Sequence, residues 1–143
     1  MSERQRTVGR LVADHMTRKV FTLRIDKQLI VAREIMQWAH VRHVPVVSTS
    51  GQVVGMVSHR DLLAASIASV SGAAEPQRSQ HLWTVSIQTV MRAPVTTIVS
   101  TATIHEAAAL MRIQKIGCLP VVDNTKLVGI ITDYDLLGAL EQE

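Results

Sequence analysis

"GMVSHRD", Gly55 to Asp61, returns as "GIITDYD", Gly129 to Asp135, in a chain of 143 residues. Each stretch reads Gly, two apolar residues, a hydroxyl residue, two variable residues and Asp. Registering one on the other draws in both flanks. Upstream of a central turn the offset is 75: Met16 falls on Met91, Val20 on Val95, Thr22 on Thr97, Ala32 on Ala107, Met36 on Met111, and Pro45-Val46-Val47 on Pro120-Val121-Val122. Downstream it is 74: Val54-Gly55 falls on Val128-Gly129 and Asp61-Leu62-Leu63 on Asp135-Leu136-Leu137. The lost residue lies between "PVV" and "VG", and a length change belongs in a loop. The period is too long for a solenoid, so the chain is a duplicated half-domain.

The two copies carry the same element pattern. A β-prone segment opens each, "VFTL" from Val20 and "VTTIV" from Val95. An amphipathic helix follows, with Leu29, Ala32, Ile35, Met36 and Ala39 at helical spacing in the first copy and Ile104, Ala107, Leu110 and Met111 in the second. "TIHE", Thr103 to Glu106, is a capping box for the second of these helices. Asp26 is a looser cap for the first. Two strands joined by a turn come next, "VPVV" with "QVVGMVS" and "LPVV" with "KLVGIIT". A last helix starts near Asp61 or Asp135 and runs through "LLAASIA" or "LLGAL". The fold class expected is α+β: two β-α-β-β-α repeats packed about a pseudo-two-fold axis. The boundaries expected are a basic tail at 1–9, one repeat at 10–68, a Gly/Ser/Pro-rich linker at 69–83 and a second repeat at 84–143. Trp83, in polar surroundings, is expected to pack back on the body, with the edge of a ligand cleft as the other reading. A single copy has little margin for stability alone, so the two copies are expected to pair and cover each other's apolar faces.

Composition narrows the function. At 47% hydrophobic and 19% charged residues the chain buries a core. Aromatics make up only 3%, which argues against a base-stacking single-strand binder. The net charge of +3 is uneven: residues 1–72 hold ten basic and five acidic residues, and residues 73–143 hold five and seven. Arg4, Arg6, Arg10, Arg18 and Lys19 lead the excess. A solvated tail is the favoured reading, and a phosphate- or nucleic-acid-touching arm the other. Cys118, the sole cysteine, sits in "IGCLPVV" and reads as a buried inert thiol rather than a nucleophile. No apolar run of membrane length and no signal-like start occur, so a cytoplasmic protein with no membrane role is expected.

The ordered set "M-x3-V-x-T", "A-x3-M", "P-V-V" and "G-h-h-[ST]-x-x-D", present twice, resembles a tandem cystathionine-β-synthase (CBS) domain pair over about residues 10–141. The resemblance implies adenosine-containing ligands, AMP, ADP, ATP, NAD or S-adenosylmethionine, in clefts between the repeats. It implies regulation of a partner protein, still unidentified, and a homodimer formed through the helical faces. It implies no required cofactor, with Mg²⁺ present only if a nucleotide carries it.

The same resemblance assigns roles. Asp61 and Asp135 would accept hydrogen bonds from ribose hydroxyls, as a charged acceptor does well. Ser58 and Thr132 would bond ribose or phosphate at the same strand-to-helix turn, where helix N–H groups favour an anion. Ordinary helix capping by these four residues is the competing reading. Val20, Phe21 and Thr22, and Val95, Thr96 and Thr97, would offer first-strand backbone to the adenine. Val46 and Val121 would help line that slot, a role compatible with plain core packing. Arg42 and His43 precede the first "PVV", where phosphates are met, and His59 and Arg60 add positive character. Gly117, Cys118 and Asp133 stand at the matching places of the second copy, so the first is expected to be the better phosphate site.

Other chemistry is set aside. His40-x-x-His43 has metal-compatible spacing but supplies only two ligands, and no metal site is expected. No Ser-His-Asp order, P-loop or Rossmann glycine pattern occurs, so no enzyme is expected. Two other functions stay open: an oligomerisation module without a tight ligand, and a nucleic-acid-binding CBS protein using the basic arm.

Overall fold

The computed structural model describes residues 10–69 and 82–142. The expected tail lies outside these residues, as does most of the linker. The elements in chain order are α1 (Val12–His15), β1 (Leu23–Arg24), α2 (Leu29–Ala39), β2 (His43–Val47), β3 (Val53–Ser58), α3 (His59–Ser69), α4 (Ile87–Val90), α5 (Ile104–Gln114), β4 (Cys118–Asp123), β5 (Lys126–Thr132) and α6 (Asp133–Glu141). The fold is α+β, with two separate sheets.

Two compact units form, and they are not the two sequence copies. The first, here the Asp61 unit, is Phe21–Val95; the second, the Asp135 unit, joins the chain up to Val20 with Thr96–Glu143. The opening of each copy therefore packs with the body of the other copy. In the Asp61 unit the sheet order is β1-β2-β3, with β1 parallel and β3 antiparallel to β2. Arg92 lies along the outer edge of β3, its N–H donating to the Met56 carbonyl at 2.8 Å and its carbonyl accepting from Met56 at 3.1 Å. In the Asp135 unit β4 pairs antiparallel with β5, and Thr17 takes the matching edge place on Ile130, at 2.8 and 2.9 Å.

This exchange explains the repeated Gly and Met. A Cβ on Gly55 would lie 2.6 Å from Met91 Sδ and 3.2 Å from the Arg92 carbonyl oxygen. On Gly129 it would lie 2.7 Å from Met16 Sδ and 2.9 Å from the Thr17 carbonyl oxygen. Gly is required because the exchanged segment runs directly over the strand.

The local elements follow their sequence signals with three corrections. First, the opening strands are shorter and later than expected. β1 starts at Leu23, paired to Val46, and its counterpart is the single residue Ile98, bridging Val121. Second, Asp26 does not cap α2: the N-cap is Gln28 without a side-chain bond, and Asp26 pairs with Arg24 at 2.7 Å. Backbone does the capping, through the Leu29 N–H to the Val85 carbonyl at 2.7 Å. Third, Trp83 does not pack back on the body. It is 63% exposed, and its neighbour Leu82, 2% exposed, anchors the chain in the Asp61 unit's core.

The expected capping box at α5 is present, with Glu106 N–H donating to Thr103 Oγ1 at 3.1 Å and Thr103 N–H to Glu106 Oε2 at 2.9 Å. The hairpins show where the missing residue went. β2 and β3 are joined by a five-residue loop with Gly51 at φ +87°, whereas β4 and β5 close on Asn124 and Thr125 at φ 48° and 67°. A two-residue turn with both φ positive suits the strand twist.

Candidate functional site

The sheet topology gathers the candidate residues at one end of each unit. β1 is parallel to β2, and β3 is antiparallel to it with Ser58 opposite His43. The segment leading into β1, the start of β2 and the end of β3 therefore lie at the same sheet end. That places Phe21 and Thr22, Arg42 and His43, and Ser58 to Asp61 there together. In the Asp135 unit Thr96 and Thr97, Gly117 and Cys118, and Thr132 to Asp135 gather in the same way, with Cys118 opposite Thr132. Val20 opens the first copy's segment but groups with the Asp135 unit, and Val95 groups with the Asp61 unit.

The last helix of each copy starts two residues before the Asp, at His59 and Asp133. The His59 N–H donates to the Arg42 carbonyl at 2.8 Å, and the Asp133 N–H to the Gly117 carbonyl at 2.9 Å, so the turn is tied to the start of the neighbouring strand. The hydroxyl and carboxylate then bond reciprocally. Asp61 Oδ2 accepts from the Ser58 N–H at 2.9 Å and Ser58 Oγ accepts from the Asp61 N–H at 3.1 Å. Asp135 Oδ2 accepts from the Thr132 N–H at 2.9 Å and Thr132 Oγ1 accepts from the Asp135 N–H at 3.3 Å. Both phrases are capping boxes. Capping leaves ligand chemistry open, because each box uses one of two carboxylate oxygens.

The second oxygen separates the copies. Asp61 Oδ1 accepts from Arg92 Nε at 3.2 Å. Asp135 Oδ1 has no hydrogen-bond donor among the described residues. Arg92 was not among the residues singled out from sequence. Its signal was present, since it falls on Thr17 in the register that pairs Met16 with Met91.

The surrounding charges differ as well. Arg42 and His59 line a cavity of about 340 Å³ together with Arg33 and His40, over a floor of Met36, Val41 and Leu62. Among the described residues no carboxylate lines it. In the Asp135 unit Asp133 stands over Gly117, where a Cβ would meet its Oδ2 at 2.9 Å. Burial, then the charges of Asp135 and Asp133, push the Cys118 thiol up to about 12. Such a thiol stays protonated and unreactive at neutral pH.

One expectation about the adenine slot changes. Val20–Thr22 and Val95–Thr97 lie before the ladder rather than in a strand, because the paired register begins at Leu23 and at Ile98. Val46 and Val121 are fully buried, so their side chains are part of the core. Among the described residues no group of three His, Cys, Asp or Glu could hold a metal ion, and His40 ends α2 in a left-handed conformation. No helix among them is long and apolar enough to cross a membrane.

Two copies of one α+β half-domain, each ending in a capped Ser/Thr-x-x-Asp turn, define a CBS-type pair. The CBS domain family model matches residues 12–68 and 87–142, and the chain belongs to that family. It is 31% identical to a CBS domain-containing protein of Dictyostelium discoideum over 131 residues, 91% of this chain and 90% of that one. It is also similar to the crystal structure of a putative acetoin utilization protein (AcuB) from Vibrio cholerae, at 37% identity, 92% and 90% coverage and a TM-score of 0.73. The crystal structure of CBSX2 in complex with AMP matches at 25% identity, 93% and 97% coverage and a TM-score of 0.78.

Proposed function

We propose that this protein is a regulatory, non-catalytic module that binds an adenosine-containing nucleotide and passes the bound state to a partner protein. The observation that carries the reading is Asp135. Its Oδ2 is spent on the helix cap, and its Oδ1, beside a helix N-terminus, has no donor among the described residues. A half-buried carboxylate with one uncommitted oxygen suits a vicinal diol such as ribose. Support comes from the AMP bound by the structurally similar CBSX2. Within the Asp61 unit, Arg42, His43, His59 and Arg60 supply phosphate-compatible charge near the equivalent Asp61, and in each unit the backbone before the first paired residue, within Val20–Thr22 and Val95–Thr97, is offered to the base. Mg²⁺ enters only with a nucleotide. A cytoplasmic location belongs to the same reading.

Signalling requires that the ligand bind two states of the protein with different affinity. A homodimer is the natural second partner. Tyr134, Leu137 and Leu140 of α6 are 80%, 61% and 61% exposed, an apolar face for a matching helix. A monomer in sedimentation at micromolar concentration counts against the dimer.

The test is thermal unfolding with AMP, ADP, ATP, NAD and S-adenosylmethionine on the wild type, Asp135→Asn and Asp61→Asn. Asn keeps an oxygen for the cap while removing the charge. A ligand at about 100 times its Kd adds roughly 2.7 kcal/mol, a rise of several degrees. The expected result is a shift with at least one ligand that Asp135→Asn largely abolishes. No shift with any of the five sinks the reading and leaves an oligomerisation module.

A further inference from the structure

The two turns share a backbone and differ in one neighbour. Arg92 is pinned to the outer edge of β3 by two backbone bonds to Met56, two residues before Ser58. From there its Nε reaches Asp61 Oδ1 at 3.2 Å. The Asp61 side chain is 12% exposed and the Arg92 side chain 66% exposed, so the pair joins a largely buried carboxylate to an exposed cation. With Ser58 on Oδ2 and Arg92 on Oδ1, both oxygens of Asp61 are engaged. In the Asp135 unit the equivalent edge residue is Thr17, held by the same pair of backbone bonds to Ile130. Its short neutral side chain makes no hydrogen bond to Asp135 among the described residues.

We propose that Arg92 is a latch on the Ser58–Asp61 turn, so that the two turns take an adenosine ligand unequally, Thr132–Asp135 first. This rests on the nucleotide reading above and adds which copy is open and which residue closes the other. A ribose arriving at Asp61 must displace a charged donor, whereas one arriving at Asp135 meets an uncommitted oxygen. Arg42 and His59 make the Asp61 unit attractive to phosphate, but attraction of the phosphate does not free the diol acceptor. The latch is an ion pair with one exposed partner, so it is modest in strength and weakens with salt. It biases occupancy rather than forbidding it, which suits a site that fills only at higher ligand concentration.

The test is calorimetric titration of wild type, Arg92→Thr and Thr17→Arg with adenosine and with AMP, at low and high salt. Arg92→Thr installs the other copy's residue at an exposed position, and Thr17→Arg makes the reciprocal change. Wild type is expected to show two unequal sites. Arg92→Thr should strengthen the weaker one by about three- to fivefold, the scale of such an ion pair, and Thr17→Arg should weaken the stronger one. The inequality in wild type should shrink as salt rises. Two sites whose affinities ignore both substitutions overturn the latch and leave nucleotide binding standing. Weaker AMP binding in Arg92→Thr also overturns it, since Arg92 would then be a ligand contact. No uptake of either ligand by any of the three overturns the nucleotide reading and the latch together.

Discussion

The Asp61 and Asp135 units present one backbone in two chemical settings. Around Asp61 stand Arg42, His43, His59, Arg60 and Arg92. At the matching places around Asp135 stand Gly117, Cys118, Asp133, Tyr134 and Thr17. The hydrogen bonds that shape the turn are the same in both, His59 to Arg42 in one and Asp133 to Gly117 in the other. The capping boxes are the same too. Duplication has copied what holds the turn in place and left the charges free to diverge. A fold of this kind can therefore offer two sites of like geometry and different preference without altering a strand.

The packing of the exchanged segments gives the largest way to test that likeness. Gly129→Ala is expected to destabilise by about 2–3 kcal/mol, because its Cβ would sit 2.9 Å from the Thr17 carbonyl oxygen, a backbone atom that cannot step aside. Gly55→Ala should cost less, about 1 kcal/mol. There the closest atom is the flexible Met91 thioether, and the nearest backbone oxygen is 3.2 Å away. Denaturant midpoints of the two variants decide the matter, and equal losses would mean that the exchange is packed alike in both units.

A smaller difference is expected at the second helices. Thr103→Ala removes a side-chain cap from α5 and should cost about 1 kcal/mol. Asp26→Ala removes only an exposed partner of Arg24 near α2 and should stay within about 0.5 kcal/mol. Urea melts of both would show it, and a loss at Asp26 as large as at Thr103 would restore Asp26 as a cap.

The smallest effect concerns acid. Asp123 accepts from the Ser100 hydroxyl at 2.5 Å and from the Ser100 N–H at 3.0 Å, and these bonds hold its carboxyl below the usual value of 3.8. The stabilisation is present above that usual value and is lost as pH falls through the lower folded-state value. The other unit has Ile25 and Ser48 at the matching positions and no such pair. Ser100→Ala should move the Asp123 titration back toward 3.8, read by carboxyl chemical shifts against pH, with a small loss of stability at neutral pH that disappears in acid.

Much of the candidate site was legible in the linear pattern because it is local. Ser58 with Asp61 and Thr132 with Asp135 are three residues apart, and a capping box needs nothing beyond that spacing and a following helix. Leu29, Ala32 and Met36, and Ala107 and Met111, are buried as their spacing implied. The match of Met16 to Met91 and of Gly55 to Gly129 was also visible, but its reason was not. Each Gly meets the Met of the other copy, a contact between residues 36 or more positions apart.

Such long-range choices are where the folded chain added what composition and period could not carry. Which segment closes which sheet, and whether Leu82 or Trp83 turns inward, depend on which surfaces meet. Local preference is nearly the same for each alternative, so the buried contacts decide. Arg92 is the sharpest instance: in sequence it is a surface arginine after a methionine, 31 residues from Asp61. The edge of β3 brings the two within hydrogen-bonding distance, and the same edge in the other unit brings Asp135 only a threonine. Spacing and period dictated the duplicated elements and their caps, because those depend on neighbours along the chain. The exchange of segments and the inequality of the two carboxylates arose from packing, because they depend on neighbours in space.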